Sequence, residues 1–176
     1  ARSLNFLDPD VPTKIIQHPE TVFKGDQVTL ECSIDADLPS NVTYFWFKDN
    51  RLLDIHTSKW TIKQATLELR RNISCFATSD KRTSIPATIS AKILARASFL
   101  SRLKPYTGVL KSGRFVSLTC RVECYPICAI LWLTKGQVII PDALYDISTQ
   151  VHAADFVRND FESVESTLVD YYFRNY

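Results

Sequence analysis

Two stretches of this chain alternate apolar and polar residues in the same phase and end on cysteine. In Gln27–Cys32, Val28, Leu30 and Cys32 share one face and Gln27, Thr29 and Glu31 the other. In Arg114–Cys120, Val116, Leu118 and Cys120 share one face and Ser117 and Thr119 the other. A period of two residues is that of a β-strand with one buried face. A tryptophan-bearing run follows each stretch, Tyr44–Phe47 and Ala129–Leu133, and each run closes on turn residues, Lys48-Asp49-Asn50 and Thr134-Lys135-Gly136. Short β-rich runs predict further strands at Ala65–Leu69, Ile73–Ala77 and Ala87–Leu94, and Glu165–Leu168 is similar to Ala65–Glu68. The internal repeat of about ninety residues is the size of a small sandwich domain. No segment sustains an apolar stripe at helical spacing. The chain therefore reads as all-β, with two tandem sandwiches over 1–95 and 96–176. Leu94-Ala95-Arg96-Ala97 carries no Gly/Ser-rich or Pro-rich spacer, which predicts a short, stiff junction there.

Apolar residues make up 45% and charged residues 23% of the 176, which excludes a disordered tail. The 21 Lys and Arg against 19 Asp and Glu leave +2, too little for a dedicated nucleic-acid binder. Apolar runs such as Val138-Ile139-Ile140 are far too short to span a bilayer. The chain starts on Ala and holds no Met, which reads as a mature or excised segment with any leader or anchor outside it. Four glycines leave no room for a phosphate-binding loop, and His18, His56 and His152 fall in no catalytic or zinc motif. No catalytic residue, cofactor or metal site is expected. Asp142, Asp146, Asp155 and Asp160 read as a solvated acidic surface rather than a calcium site. Two glycosylation acceptors, Asn41-Val42-Thr43 and Asn72-Ile73-Ser74, together with five cysteines, place the chain outside the cell, secreted or at the cell surface, with N-linked glycans at Asn41 and Asn72.

The series Val28-Thr29-Leu30-Glu31-Cys32, Trp46-Phe47-Lys48-Asp49-Asn50, Ala65-Thr66-Leu67-Glu68-Leu69 and Cys75 resembles an immunoglobulin domain of the intermediate type. Val116–Cys120 with Trp132–Gly136 resembles a second one. Tandem domains of this kind are similar to the ectodomains of invertebrate neuronal adhesion and axon-guidance molecules. The resemblance implies a disulfide between Cys32 and Cys75, with Trp46 packed against it.

The sequence departs from that pattern in both halves. Five residues, Arg70 to Ser74, separate Leu69 from Cys75, too few to cross the end of a sandwich if Leu69 stays in a strand. Ile73 stands where the pattern has its corner tyrosine. In the second half no cysteine follows Cys128, and the last two strands of the pattern are not evident after Leu168, so this domain looks incomplete and the partner of Cys120 is out of view. Cys124 and Cys128 bracket Tyr125-Pro126-Ile127. A bend at Pro126 would bring them within disulfide reach, and pairing of Cys120 with one of them is the alternative.

With Trp46 inward, strand alternation turns Phe45 and Phe47 outward. Phe76, next to an inward Cys75, joins them. Three phenylalanines on one sheet face mark a binding surface, unless Arg51 or Lys48 covers them. The corresponding residues of the second half, Leu131 and Leu133, are aliphatic. Lys92, Arg96, Arg102, Lys104, Lys111 and Arg114 gather around the junction and form a candidate heparan sulfate site. The expected function is recognition of another cell-surface or secreted protein, homophilic or heterophilic, in cell adhesion or neuronal guidance. The ligand-binding part of a signalling receptor and a secreted glycosaminoglycan-binding protein are the alternatives.

Overall fold

The computed structural model describes residues 11–38, 40–80, 82–110 and 113–171. Fifteen strands follow in chain order: β1 (Thr13–His18), β2 (Val22–Phe23), β3 (Val28–Ile34), β4 (Thr43–Lys48), β5 (Arg51–Leu52), β6 (Lys59–Ile62), β7 (Ile73–Ser79), β8 (Arg82–Thr83), β9 (Ala87–Ile89), β10 (Ile93–Leu110), β11 (Gly113–Tyr125), β12 (Leu133–Thr134), β13 (Gln137–Val138), β14 (Tyr145–His152) and β15 (Ser163–Asp170). The described helical structure is one 3-10 turn, Leu67–Arg70. No described helix is long and apolar enough to cross a membrane. The chain divides into two compact units, Ala1–Leu94 and Ala95–Tyr176.

In the first unit one sheet runs β1-β3-β6 and the other β5-β4-β7-β8, with β9 also on β7. Strand alternation is strict where both faces matter: Val28, Leu30, Cys32 and Ile34 of β3, and Ile73, Cys75, Ala77 and Ser79 of β7, are all buried, while the residues between them are only part-buried. The disulfide Cys32–Cys75 joins β3 to β7, and therefore one sheet to the other, with 6.2 Å between the Cα atoms. Trp46 sits opposite Cys75 in the register, is fully buried, and donates its indole N–H to the Thr57 carbonyl at 2.9 Å.

Two expected strands of this unit fold differently. Ala65–Leu69 is not a strand; β6 takes that place beside β3, and the chain then coils through the 3-10 turn. The segment must leave one sheet for the other and joins no ladder: Ala65 bonds to the Gly25-Asp26 turn, Leu69 N–H donates to Thr66 O at 3.2 Å, Arg71 N–H donates to Glu68 O at 3.1 Å, and Leu69 O accepts from Ala91 N–H at 3.0 Å. Both leucines still enter the core. Ile73 is completely buried, and the crossing is braced by backbone instead of a tyrosine hydroxyl, with Asp49 N–H on Asn72 O at 2.9 Å. Ala87–Leu94 is two strands. Ala87–Ile89 pairs with β7, and Ile93-Leu94 pairs in parallel with Val22-Phe23.

In the second unit the order is β14-β15-β11-β10. Cys120, Val122 and Cys124 of β11 and Val164, Ser166 and Leu168 of β15 are buried on one face. Ala129–Leu133, expected as a strand, is irregular until Leu133-Thr134, which forms a two-pair hairpin with Gln137-Val138. No described strand lies beside residues 127–132, so no ladder can form there. Trp132 is nevertheless buried against Cys120 and Leu168, and its indole N–H reaches the buried Ser166 hydroxyl at 2.9 Å. Ser166→Ala leaves that donor unpaired and is expected to lower the stability of this unit by about 1–3 kcal/mol. Chemical unfolding followed by Trp fluorescence checks it, and Trp132→Phe in the same chain should recover part of the loss.

Candidate recognition surface

Opposed residues of an antiparallel pair share a face, so the registers of β4, β5, β7 and β9 define the outer surface of the β4-β7 sheet. Phe45 lies opposite Phe76, Phe47 opposite Ser74, and Leu52 of β5 opposite Phe47. Thr88 of β9 lies opposite Ser74, and Thr83 of β8 opposite Thr78. The three phenylalanines predicted from alternation are thus on one face, and they are stacked. Phe76 is central, 5.3 Å from Phe45 and 5.7 Å from Phe47 between ring centroids, with interplanar angles of 24° and 23°. His56 presents its ring to Phe45 edge-on at 5.5 Å. The rings are part-buried rather than fully wet, because each covers its neighbour.

The two side chains that would have covered these rings lie elsewhere. Lys48 is opposite the buried Ile73, hence on the other side of the sheet, where it pairs with Glu68 at 2.5 Å. Arg51 is opposite Lys48 and shares that side. What remains on the outer face is an apolar row, Leu52, Phe47, Phe76 and Phe45, ending on His56 and edged by the hydroxyls of Thr43, Ser74, Thr78, Thr83 and Thr88. Ser74 and Thr88 hydrogen-bond to each other at 2.8 Å. Leu52 is 57% exposed and is the open end of the row. Asp54 beside His56, at 3.4 Å, is the charge closest to it among the described ion pairs. Neither Leu52 nor His56 was predicted. Leu52 reaches the row through the register of a two-residue strand, and His56 through an irregular segment, and neither leaves a periodic signal in the sequence.

Asn41 is exposed, and its amide is held at both ends: Nδ2 donates to Asp80 Oδ1 at 2.9 Å and Oδ1 accepts from Ser79 Oγ at 2.9 Å. Asn72 is exposed next to Ile73. Tyr44, in phase with Trp46, packs among Val11, Ile34 and Ala77, and burial, with the Glu31 carboxylate second, pushes its phenol above the usual range. It stays neutral.

In the second unit Cys124 and Cys128 are bonded to each other, Cα to Cα 6.0 Å, and Cys120 is a buried free thiol. Burial raises the Cys120 pKa, with Glu165 adding to that and a Ser166 backbone hydrogen bond opposing it, so the thiol is protonated and unreactive. An open apolar cleft of about 380 Å3 lies between Phe99, Leu103, Val122, Ile130, Leu131 and Trp132. Leu131 and Leu133 are exposed. Of the basic set, Lys92 pairs with Glu20 at 3.5 Å; Lys111 and the side chains of Arg102, Lys104 and Arg114 lie outside the described residues. Among the described residues no group of His, Cys, Asp and Glu is placed to hold a metal ion.

The two sheets bridged by Cys32–Cys75, with Trp46 buried between them, meet a family profile described as immunoglobulin domain, which matches residues 12–90. The first unit has the immunoglobulin-like fold. The neuronal cell adhesion molecules of Rattus norvegicus and Mus musculus are each 26% identical to the chain over 152 residues. The match takes in 82% of this chain and 12% of theirs, so the chain spans about an eighth of the length of those relatives. Among solved structures, a chain of the crystal structure of Dpr2 Ig1-Ig2 in complex with DIP-Theta Ig1-Ig3 superposes on 93% of this chain and 56% of its own, with a TM-score of 0.52 and 16% identity. That likeness reaches past residues 12–90 into the second unit and concerns the fold.

Proposed function

We propose that this chain is an extracellular recognition module of a cell-adhesion protein, built of two tandem immunoglobulin-like domains, 1–95 and 96–176, the second incomplete. It binds another cell-surface or secreted protein through the outer sheet face of its first unit. The observation that carries this reading is the stacked row Phe45, Phe76 and Phe47, continued by Leu52 and His56 and edged by neutral hydroxyls. An apolar centre within a polar rim is the anatomy of a protein interface. The adhesion relatives support the broader role, and the two disulfides with the exposed sequons at Asn41 and Asn72 support an oxidising, glycosylating compartment. A glycosylated Asn41 keeps one hydrogen on Nδ2, enough for its bond to Asp80.

A face on which no described Lys or Arg side chain lies fits a largely apolar partner and not a sulfated glycan. Binding through it should therefore depend little on salt, since screening acts on charges and not on buried apolar area. The glycosylated chain, multimerised and tested against a panel of cell-surface ectodomains, should retain its partner in about 0.5 M NaCl, where the Debye length falls below about 8 Å. Phe47→Arg should abolish that binding and leave the melting temperature nearly unchanged. Loss of binding in salt, together with normal affinity of Phe47→Arg, would move recognition off this face.

A further inference from the structure

The second unit has two sheet edges, and they are treated differently. Along β10 the register with β11 shifts three times, between Ala95 and Ser98, Phe99 and Ser101, and Ser101 and Lys104, and the strand includes Pro105. Bulges and proline blunt an edge. At the other edge β14 pairs with β15 over eight consecutive residues, from Tyr145 with Asp170 to His152 with Ser163, without a shift. It contains no Lys, Arg, Pro or Gly. One edge strand of the first unit's three-stranded sheet, β6, is only four residues long and is bracketed by Lys59 and Lys63. Of the devices that keep edges from pairing, the shortness and lysines of β6 and the bulges and proline of β10 have no counterpart in β14, whose one acidic residue is Asp146.

The free groups of β14 can be named. Leu144 O accepts from Tyr171 N–H at 2.9 Å, so the even-numbered residues from 144 onward turn their backbone groups to β15 and the odd-numbered ones turn theirs to the open side. Tyr145 is odd, but Asp142 takes both of its groups: Tyr145 N–H donates to Asp142 Oδ1 at 2.9 Å, and Asp142 N–H donates to Tyr145 O at 2.9 Å. The backbone groups of Ile147, Thr149 and Val151 are left, and they are symmetric about Thr149.

We propose that this edge binds the β14 edge of a second copy of the chain, antiparallel, on a two-fold axis through Thr149. That register makes use of every free group: Ile147 pairs with Val151 of the other copy, and Thr149 with its counterpart. It also matches side chains on both faces. Ile147 meets Val151 on the core side. On the other side Asp146 meets His152 and Ser148 meets Gln150. A two-fold repeats each pair, so the edge is complementary to itself. Moving the axis to Ile147 would put the capped Tyr145 into the ladder, and moving it to Val151 would leave Ile147 opposite Asp155, past the end of the strand. His152 lies 4.0 Å from Glu165, and its Nε2 is buried with no hydrogen-bond partner among the described residues.

Sedimentation velocity of the intact chain from about 10 µM to about 1 mM, the range that covers weak homophilic affinities, tests the proposal. A reversible dimer is expected. Thr149→Pro removes the N–H at the axis without touching the ladder to β15, and should weaken the dimer about 30-fold or more with little change in melting temperature. Asp146→Lys sets like charges opposite when His152 is protonated and removes the pair otherwise; it should weaken the dimer about tenfold, and Asp146→Lys with His152→Glu should restore it. In the wild type, amide exchange at Ile147, Thr149 and Val151 should slow as concentration rises, a readout that holds even if the proline variant misfolds. A monomer throughout the range, or a dimer lost in Phe47→Arg and kept in Thr149→Pro, would overturn the proposal. A dimer lost in Thr149→Pro and kept in Phe47→Arg supports it whether or not the phenylalanine face binds a partner of its own.

Discussion

Phe76→Ala is expected to remove partner binding by at least ~30-fold, the loss that separates interface hot spots from their surroundings. Phe76 is the middle ring of the row, stacked on Phe45 at 5.3 Å and on Phe47 at 5.7 Å, and sits on β7, across from the strand β4 that carries the other two. Its removal takes away its own contact area and also lets both flanking rings turn into the gap, so the surface loses its flatness. Phe45→Ala and Phe47→Ala each leave one stacked pair intact and should cost less. The stability effect should be modest, about 1 kcal/mol, because Phe76 is only part-buried and lies outside the core. Surface plasmon resonance against the partner, beside thermal unfolding of the same variants, separates the two quantities. Equal losses of binding in all three alanine variants would show that the rings act singly rather than as a stack.

Trp46→Ala should cost about 3–5 kcal/mol, the range for deleting a fully buried aromatic side chain. Against a total of about 5–15 kcal/mol for a domain, that is enough to unfold much of the first unit at physiological temperature. Three losses coincide. The indole fills the centre of the core with no exposed surface. It packs edge-on against Trp60 at 5.8 Å, so β6 loses that contact across the core. It also leaves the Thr57 carbonyl without its donor. The Cys32–Cys75 bond survives and should hold the unfolded chain compact, so the urea midpoint falls while the slope against urea stays shallow. Trp46→Phe keeps most of the volume and should lose roughly the hydrogen bond alone, about 1–3 kcal/mol.

The parts of this molecule legible in its sequence are those that depend on near neighbours along the chain. Alternation in Gln27–Cys32, Tyr44–Phe47 and Ile73–Ala77 states which residues point inward, because a strand has a period of two whatever it pairs with. Phe45, Phe47 and Phe76 could therefore be assigned to an outer face before any register was known. Cys124 and Cys128 could be paired for the same local reason, since five residues bent at a proline set the distance. Where a strand needs a partner, the same reasoning failed. Leu67 and Leu69 alternate like strand residues, yet they belong to a 3-10 turn, because the chain there crosses between sheets and finds no ladder. Ala129–Leu133 has the composition of a strand and no described neighbour to pair with.

What the amino-acid sequence alone determined was the all-β class, the phase of each strand that pairs, and the aromatic composition of one sheet face. The tertiary structure decided membership of that face and of the free edge. Leu52 and His56 join the phenylalanines, Lys48 and Arg51 leave them, and Ile147, Thr149 and Val151 are left open on β14, all through registers between strands distant in the chain. The side a residue takes follows from its own backbone. Its companions on that side follow from which strands meet and in what register, and that depends on the packing of the whole domain.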